Sequence, residues 1–359
     1  MTMLAVGLMS GTSLDGVDAA VVVTDGIAVE RLGPALTVPY DPPRRAALRG
    51  VLGGVGDVAG VERDITLFHA EVVARLLADH GLSAAEIDVI GFHGHTILHR
   101  PAERRTWQIG DGALLARTTG IPVVNDFRTA DVLAGGQGAP LVPVFHRALA
   151  AGIARPVAVL NLGGVGNVTW IGEDDGLLAF DTGPGNALID DWAQAHTGKP
   201  VDVGGKLARL GRVDAAAVAD FAGHPYFAQV PPKSLDRDDF RAFAAGLVAG
   251  KGAADGAATL TAFTARAAGL ARRHFPKPAA RWLVCGGGRH NPAIMAALAA
   301  EFNVPVDPVE AVGWDGDALE AQAFAYLAVR SLRRLSLTYP ETTGGPAPAG
   351  GGRYHPIAP

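Results

Sequence analysis

Leu4-Ala5-Val6-Gly7-Leu8-Met9-Ser10-Gly11-Thr12-Ser13-Leu14-Asp15-Gly16-Val17-Asp18-Ala19-Ala20-Val21-Val22-Val23 decides how the rest of the chain is read. Residues 4–9 are apolar, 10–16 are polar and punctuated by glycine, and 17–23 are apolar again, which reads as strand, tight loop and returning strand. The same unit recurs at 157–162, 163–167 and 168–171. Two glycine-tipped hairpins, about 150 residues apart, point to a duplicated architecture.

Working outward, the pattern predicts a helix over 61–80, a strand over 88–92 and a helix over 112–118. After the second hairpin come a strand at 177–180 and a helix at 187–196 that Gly198 would stop. A long helix over 257–274 and a strand over 282–285 follow. Asn291 and Pro292 are cap and first residue of a helix over 293–302. Asp317 with Glu320 forms a capping-box variant ahead of a final helix over 318–335. The segment 341–359 is rich in Gly and Pro and is expected to be a disordered tail.

Composition narrows the function. The chain has 359 residues, 48% hydrophobic and 19% charged, with net charge -5; that suits a globular protein of two domains. There is no basic stripe to neutralise a run of phosphates, so nucleic acid is not an expected partner. A single cysteine rules out an intrachain disulfide and suggests a reducing compartment. No apolar run reaches membrane-span length and the start does not read as a secretory signal, so no membrane is expected and the localisation expected is cytoplasmic. The P-loop, the complete dinucleotide fingerprint, the zinc-protease helix and the protein-kinase signatures are all missing.

The first hairpin tip packs hydroxyls, glycines and two carboxylates together. Phosphates need such donors, and a carboxylate such as Asp15 can hold Mg2+ through water; the same residues also make an ordinary turn. Its repetition at Gly163-Gly164-Val165-Gly166-Asn167 favours the phosphate reading. A third cluster, residues 285–291, ends a strand and opens a helix, where backbone N–H groups suit an anion or a base. Asp181 follows a strand and precedes Thr182-Gly183-Pro184-Gly185-Asn186: a general base for a hydroxyl or water, or an Asx turn. His93 and His95 would share a strand face and suit hydrogen bonds to a polar substrate better than a metal. Arg128 could meet a carboxylate in a bidentate pair, or make a structural bridge to Asp126 or Asp131. Glu320 is by local pattern a capping residue first.

With these residues in view, residues 7–18 resemble the opening of the anhydro-N-acetylmuramic acid kinases. Further blocks resembling that family are Gln108-Ile109-Gly110-Asp111, Asn125-Asp126-Phe127-Arg128-Thr129-Ala130-Asp131, residues 135–141, Asp181-Thr182-Gly183-Pro184-Gly185-Asn186, His224-Pro225-Tyr226-Phe227, Pro231-Pro232-Lys233-Ser234, residues 285–288 and Glu320-Ala321-Gln322-Ala323-Phe324-Ala325. Together they run over residues 4–335.

The resemblance implies an α/β, two-lobed actin, hexokinase and Hsp70-like (ribonuclease H-like) fold with a central cleft. The first lobe would be 1–130 plus 317–340 and the second 131–316. It implies that ATP, with Mg2+, phosphorylates O6 of 1,6-anhydro-N-acetylmuramic acid while water opens the anhydro ring, in cell-wall recycling and amino-sugar catabolism. Asp181 would activate that water. Gly11, Thr12, Ser13, Leu14, Asp15, Gly16, Val17 and Asp18 would bind ATP, with Gly163, Gly164, Gly166 and Asn167 as the second phosphate hairpin and Gly286, Gly287 and Gly288 beside the adenosine. His93, Arg128 and Glu320 would face the sugar, and no metal would be held directly by the protein. A homodimer is implied. Two departures stand out: His95 where the family usually has glutamine, and Lys233-Ser234-Leu235-Asp236-Arg237 for a more usual Lys-Ser-Thr-Gly-Arg. The departures bear on sugar contacts, with His95 expected to add titration near neutrality. The competing readings are a kinase for another sugar on the same fold and an ATP-driven switch of the actin or Hsp70 type.

Overall fold

The structure is a computed structural model. It describes residues 1–11 and 13–357; Thr12, expected to bind ATP, lies outside the described residues. In chain order the strands are β1 (Met3–Ser10), β2 (Gly16–Thr24), β3 (Val29–Pro39), β4 (Val89–Arg100), β5 (Arg105–Ile109), β6 (Val123–Asn125), β7 (Val157–Leu162), β8 (Val165–Ile171), β9 (Leu177–Pro184), β10 (Arg281–Cys285), β11 (Val306–Pro308) and β12 (Arg353–His355). Both expected hairpins are present, as β1–β2 and β7–β8.

The chain divides into two compact units, Met1–Leu149 with Ala318–Pro359, and Ala150–Asp317. In the first, the sheet order is β12-β6-β4-β1-β2-β3, with β5 on β4. In the second it is β11-β10-β7-β8-β9. Each sheet is an antiparallel meander of three strands (β1, β2, β3 or β7, β8, β9) extended by two parallel ones (β4 and β6, or β10 and β11). The recurrence of one topology in both units makes this the duplicated α/β fold of the actin and hexokinase group. Parallel neighbours need crossover connections, which is why helices such as Val58–Asp79 and Ala253–Ala271 separate them.

Each unit has its own apolar core. Val6, Leu8, Val17 and Phe92 anchor the first, and Leu160, Phe180, Phe263 and Trp282 the second. Helix Leu319–Leu332 lies directly on the first sheet because two strands offer no side chain there. A Cβ at Gly7 would lie 1.8 Å from the Ala321 carbonyl oxygen, and one at Gly91 1.9 Å from that of Phe324.

Three expectations are corrected. The capping box of Asp317 and Glu320 does not form: Ala318 is the N-cap with no side-chain cap bond, and Asp317 instead pairs with Arg289 at 2.8 Å. Residues 131–149 pack in the first unit, where Phe145 meets Tyr326 at 5.5 Å between ring centroids. The segment 341–357 is ordered. Pro340–Thr343 is a short helix, β12 pairs antiparallel with β6, and His355 Nε2 bonds Asn125 Oδ1 at 2.9 Å. Composition alone suggests disorder because the tail buries little apolar surface; hydrogen bonding to the sheet edge and to Asp131 holds it instead.

Candidate active site

In the first unit the β1–β2 tip splits into two kinds of residue. Leu14 and Val17 are buried in the core, and at Gly16 a Cβ would lie 2.4 Å from the Val38 carbonyl oxygen. Their side-chain positions serve packing, so any ligand contact there comes from the backbone. Ser13 Oγ donates to Asp15 Oδ1 at 2.6 Å and Thr37 Oγ1 to Asp18 Oδ1 at 2.6 Å, which orders both carboxylates. Ser10, buried at the end of β1, bonds Tyr40 Oη at 2.7 Å and His95 Nδ1 at 2.8 Å.

His93 and His95 do not act as a pair. Gly94, with φ of 73°, interrupts the alternation of β4, and the register with β1 shifts there. His95 turns to Ser10, whereas His93 Nε2 accepts from Arg128 Nε at 3.2 Å and from Nη2 at 3.0 Å. His93 Nδ1 bonds the Gly94 carbonyl at 2.9 Å, which requires the proton on Nδ1 and leaves the Nε2 lone pair for the guanidinium. Both ring nitrogens are therefore engaged, and His93 orients Arg128 where a direct sugar contact was expected. Burial holds the His93 imidazole well below its usual range, with the Arg128 charge second. Burial also pushes His95 down to about 4, so the expected titration near neutrality does not occur.

Arg128 Nη1 donates to the Gly138 carbonyl at 2.7 Å. Neither expected salt bridge forms. Asp131 is buried and accepts from Gly138 N, Thr338 Oγ1 and Thr343 Oγ1 at 2.7, 2.6 and 2.8 Å. Among the described residues no carboxylate lies within ion-pair distance of Arg128. Burial lowers its guanidinium to about 10, while the Glu320 charge opposes that. Glu320 is raised by burial; Arg128 lowers it, and Asp18 and Asp15 raise it. A sunken cation without a paired carboxylate is a site for an anionic group.

In the second unit Asp181 sits on β9, where the pairing with β8 passes from Gly166 with Gly183 to Asn167 with Asp181 and leaves Thr182 bulged. Its Oδ2 accepts from Leu235 N at 2.9 Å; Oδ1 has no hydrogen bond among the described residues. The carboxyl is pushed up to about 7, chiefly by burial, against the Leu235 hydrogen bond and with help from the Asp236 charge. A carboxylate that titrates near neutrality with one free oxygen suits general-base work. It is neither a helix cap nor an Asx turn.

The β7–β8 tip braces the next turn: Gly163 O accepts from Asn186 N at 2.7 Å, Gly164 O from Gly185 N at 2.9 Å, and Asn186 Nδ2 donates to Leu162 O at 2.9 Å. Gly166 is buried against Thr182, where a Cβ would lie 2.7 Å from Oγ1. Asn167 is partly buried on β8. Gly286, Gly287 and Gly288 lie at the end of β10, Gly288 over Leu162 and Asn186. Arg289 Nη1 holds the Gly286 carbonyl at 3.1 Å while its guanidinium pairs with Glu310 and Asp317. This arginine had no signal in the sequence, because its role depends on carboxylates 21 and 28 residues away.

Residues 3–356 match the family model for anhydro-N-acetylmuramic acid kinase. The chain belongs to the anhydro-N-acetylmuramic acid kinase family. It is 69% identical over 353 residues to an anhydro-N-acetylmuramic acid kinase of Paramagnetospirillum magneticum, covering 98% of this chain and 99% of that one. An anhydro-N-acetylmuramic acid kinase of Rhodospirillum rubrum is 61% identical, covering 99% and 94%. Among solved structures, the activator of the 2-hydroxyisocaproyl-CoA dehydratase from Clostridium difficile with bound ADPNP is 13% identical with a TM-score of 0.47, covering 92% of this chain and 96% of that one. No helix of this kinase-family chain is long and apolar enough to cross a membrane among the described residues.

Proposed function

We propose that the protein transfers the γ-phosphoryl group of ATP to O6 of 1,6-anhydro-N-acetylmuramic acid while water opens the anhydro bridge, giving N-acetylmuramic acid 6-phosphate and ADP. Family membership supports the reaction, and the Asp181 carboxyl is the observation that carries the mechanism. As a carboxylate, Asp181 takes a proton from water through its free Oδ1; the hydroxide attacks the anomeric carbon, the C1–O6 bond breaks, and O6 leaves toward phosphorus. Leu235 N–H keeps Oδ2 fixed meanwhile. Arg128, oriented by His93, receives the lactyl carboxylate of the sugar. Glu320, partly exposed at the start of its helix, accepts from a sugar hydroxyl.

Gly11 to Asp18 and Gly163 to Asn167 are each read as phosphate-binding hairpin tips, and Gly286 to Gly288 as the border of the adenosine. Among the described residues no group of three or more His, Cys, Asp or Glu could hold a metal ion directly. The donors fit a cation carried by the nucleotide: the Asp15 and Asp18 carboxylates, whose charge is felt at Glu320, would offer it hard oxygen atoms. Bound Mg2+ neutralises charge developing on the phosphates. Asp15 is the residue that would hold it, through water. We place the reaction in the cytoplasm, in cell-wall recycling, and read the active form as a homodimer.

The test measures ADP release from Mg-ATP with and without the anhydro sugar, and the mass of the sugar product. A sugar-dependent release with both phosphate and water added is expected. Release that ignores the sugar, with no phosphosugar, refutes the proposal and leaves a kinase for another sugar or an ATP-driven switch.

A further inference from the structure

The blocks His224-Pro225-Tyr226-Phe227 and Pro231-Pro232-Lys233-Ser234 have no part in the reaction described so far, yet both converge on Asp181. The Asp181 N–H donates to the Lys233 carbonyl at 3.0 Å. Lys233 Nζ donates to the Tyr226 carbonyl at 3.0 Å. Tyr226 Oη donates back to the Asp181 carbonyl at 2.6 Å. The three bonds close a ring through which both backbone polar groups of Asp181 are held by residues that also hold each other. Two residues beyond Lys233, Leu235 N reaches the Asp181 carboxylate itself.

Lys233 is committed to this ring. Its ammonium lies 4.4 Å from the Tyr226 ring centroid and 5.7 Å from that of Phe180, the neighbour of Asp181, and no carboxylate pairs with it among the described residues. Tyr226 is 5% exposed and packs against Phe227 and Phe240. A half-buried lysine on two aromatic faces, with a carbonyl as its hydrogen-bond acceptor, is an unusual way to tie a loop down unless that loop must be placed accurately.

We propose that Tyr226 and Lys233 are positioning residues that hold the 226–235 segment over Asp181, so that its carboxylate stays desolvated and its free oxygen stays aimed at the attacking water. The proposal rests on the reading of Asp181 as the general base. The charged and titratable groups facing these residues are Asp236 beside Asp181, Asp239 and His224 beside Tyr226, and Arg273 and His274 beside Lys233. Loosening the segment would relieve the burial of Asp181 and remove Asp236, both lowering its pKa, and would release the Leu235 bond, which raises it. Burial is the largest of the three, so the net movement is downward.

The experiment compares wild type, Tyr226→Phe and Lys233→Met, with aspartate carbon-13 labelled at Cγ and the Asp181 resonance assigned through Asp181→Asn. In both variants the Asp181 midpoint is expected to fall by at least about one pH unit, kcat for the anhydro sugar by about tenfold or more, and KM for ATP to stay within about threefold. A fold that is merely damaged would lower kcat in proportion to the native fraction without moving the midpoint. An unmoved midpoint in folded variants overturns the proposal. Tyr226→Phe removes one oxygen from a ring that stays packed, and decides the matter if Lys233→Met does not fold. If wild type fails to phosphorylate the sugar, the assigned reaction falls, while the midpoint still reports whether the ring controls Asp181.

Discussion

Arg128 and His93 are joined twice, with Nε and Nη2 of the guanidinium both donating to a single imidazole nitrogen, at 3.2 and 3.0 Å. The arrangement works only while His93 is neutral, and burial keeps it so. It aims a cation that lacks a carboxylate partner among the described residues, and binding of an acidic sugar would supply one.

His93→Ala removes that aim without touching the sugar. Hydrogen bonds to charged groups contribute about 1.5–3 kcal/mol, so KM for the sugar should rise roughly 10- to 100-fold while KM for ATP changes little. Steady-state kinetics with each substrate varied checks this; a parallel rise in both KM values would show that His93 supports the whole unit and not Arg128 alone.

Asp181 would act as a base only when ionised, and burial pushes its carboxyl up to about 7. Below that value kcat/KM should fall about tenfold per pH unit, as the carboxylate fraction falls. Asp181→Asn should abolish turnover and leave ATP binding intact, measured by calorimetry. Turnover retained in that variant would remove Asp181 from the mechanism.

Gly7 and Gly91 have no room for a side chain beneath helix Leu319–Leu332. Because the Cβ would meet backbone oxygen and not a flexible side chain, Gly7→Ala or Gly91→Ala should destabilise by about 3 kcal/mol or more. Urea unfolding measures the loss. The variants should also lose activity through Glu320, which the same helix carries.

Removing residues 341–359 deletes Thr343, one of two hydroxyls on buried Asp131, and the β12 edge strand. With buried hydrogen bonds lost, a stability decrease of about 2–4 kcal/mol is expected. Limited proteolysis of the full chain should find the segment resistant at its β12 end; rapid trimming there with unchanged melting would refute the ordered tail.

Local pattern carried a good deal of this molecule. The alternation of apolar runs with glycine-rich tips placed both hairpins, because a strand's burial and a turn's backbone freedom are written into neighbouring residues. Asn291 and Pro292 marked a helix start for the same reason: Asn291 Oδ1 accepts from Ala293 N at 3.0 Å, within its own turn. Asp181 and Arg128 were legible as residue types in motifs that resemble a known family. Their states were not. Whether Arg128 would meet Asp126, Asp131 or a ligand turned on His93, 35 residues earlier, and on Thr338 and Thr343, which occupy Asp131 from 207 and 212 residues away. The neutrality of His95, the order of the tail and the ring around Asp181 likewise depend on burial and on partners distant in the chain. Desolvation and long-range hydrogen bonding are properties of the packed molecule, and no window of sequence contains them.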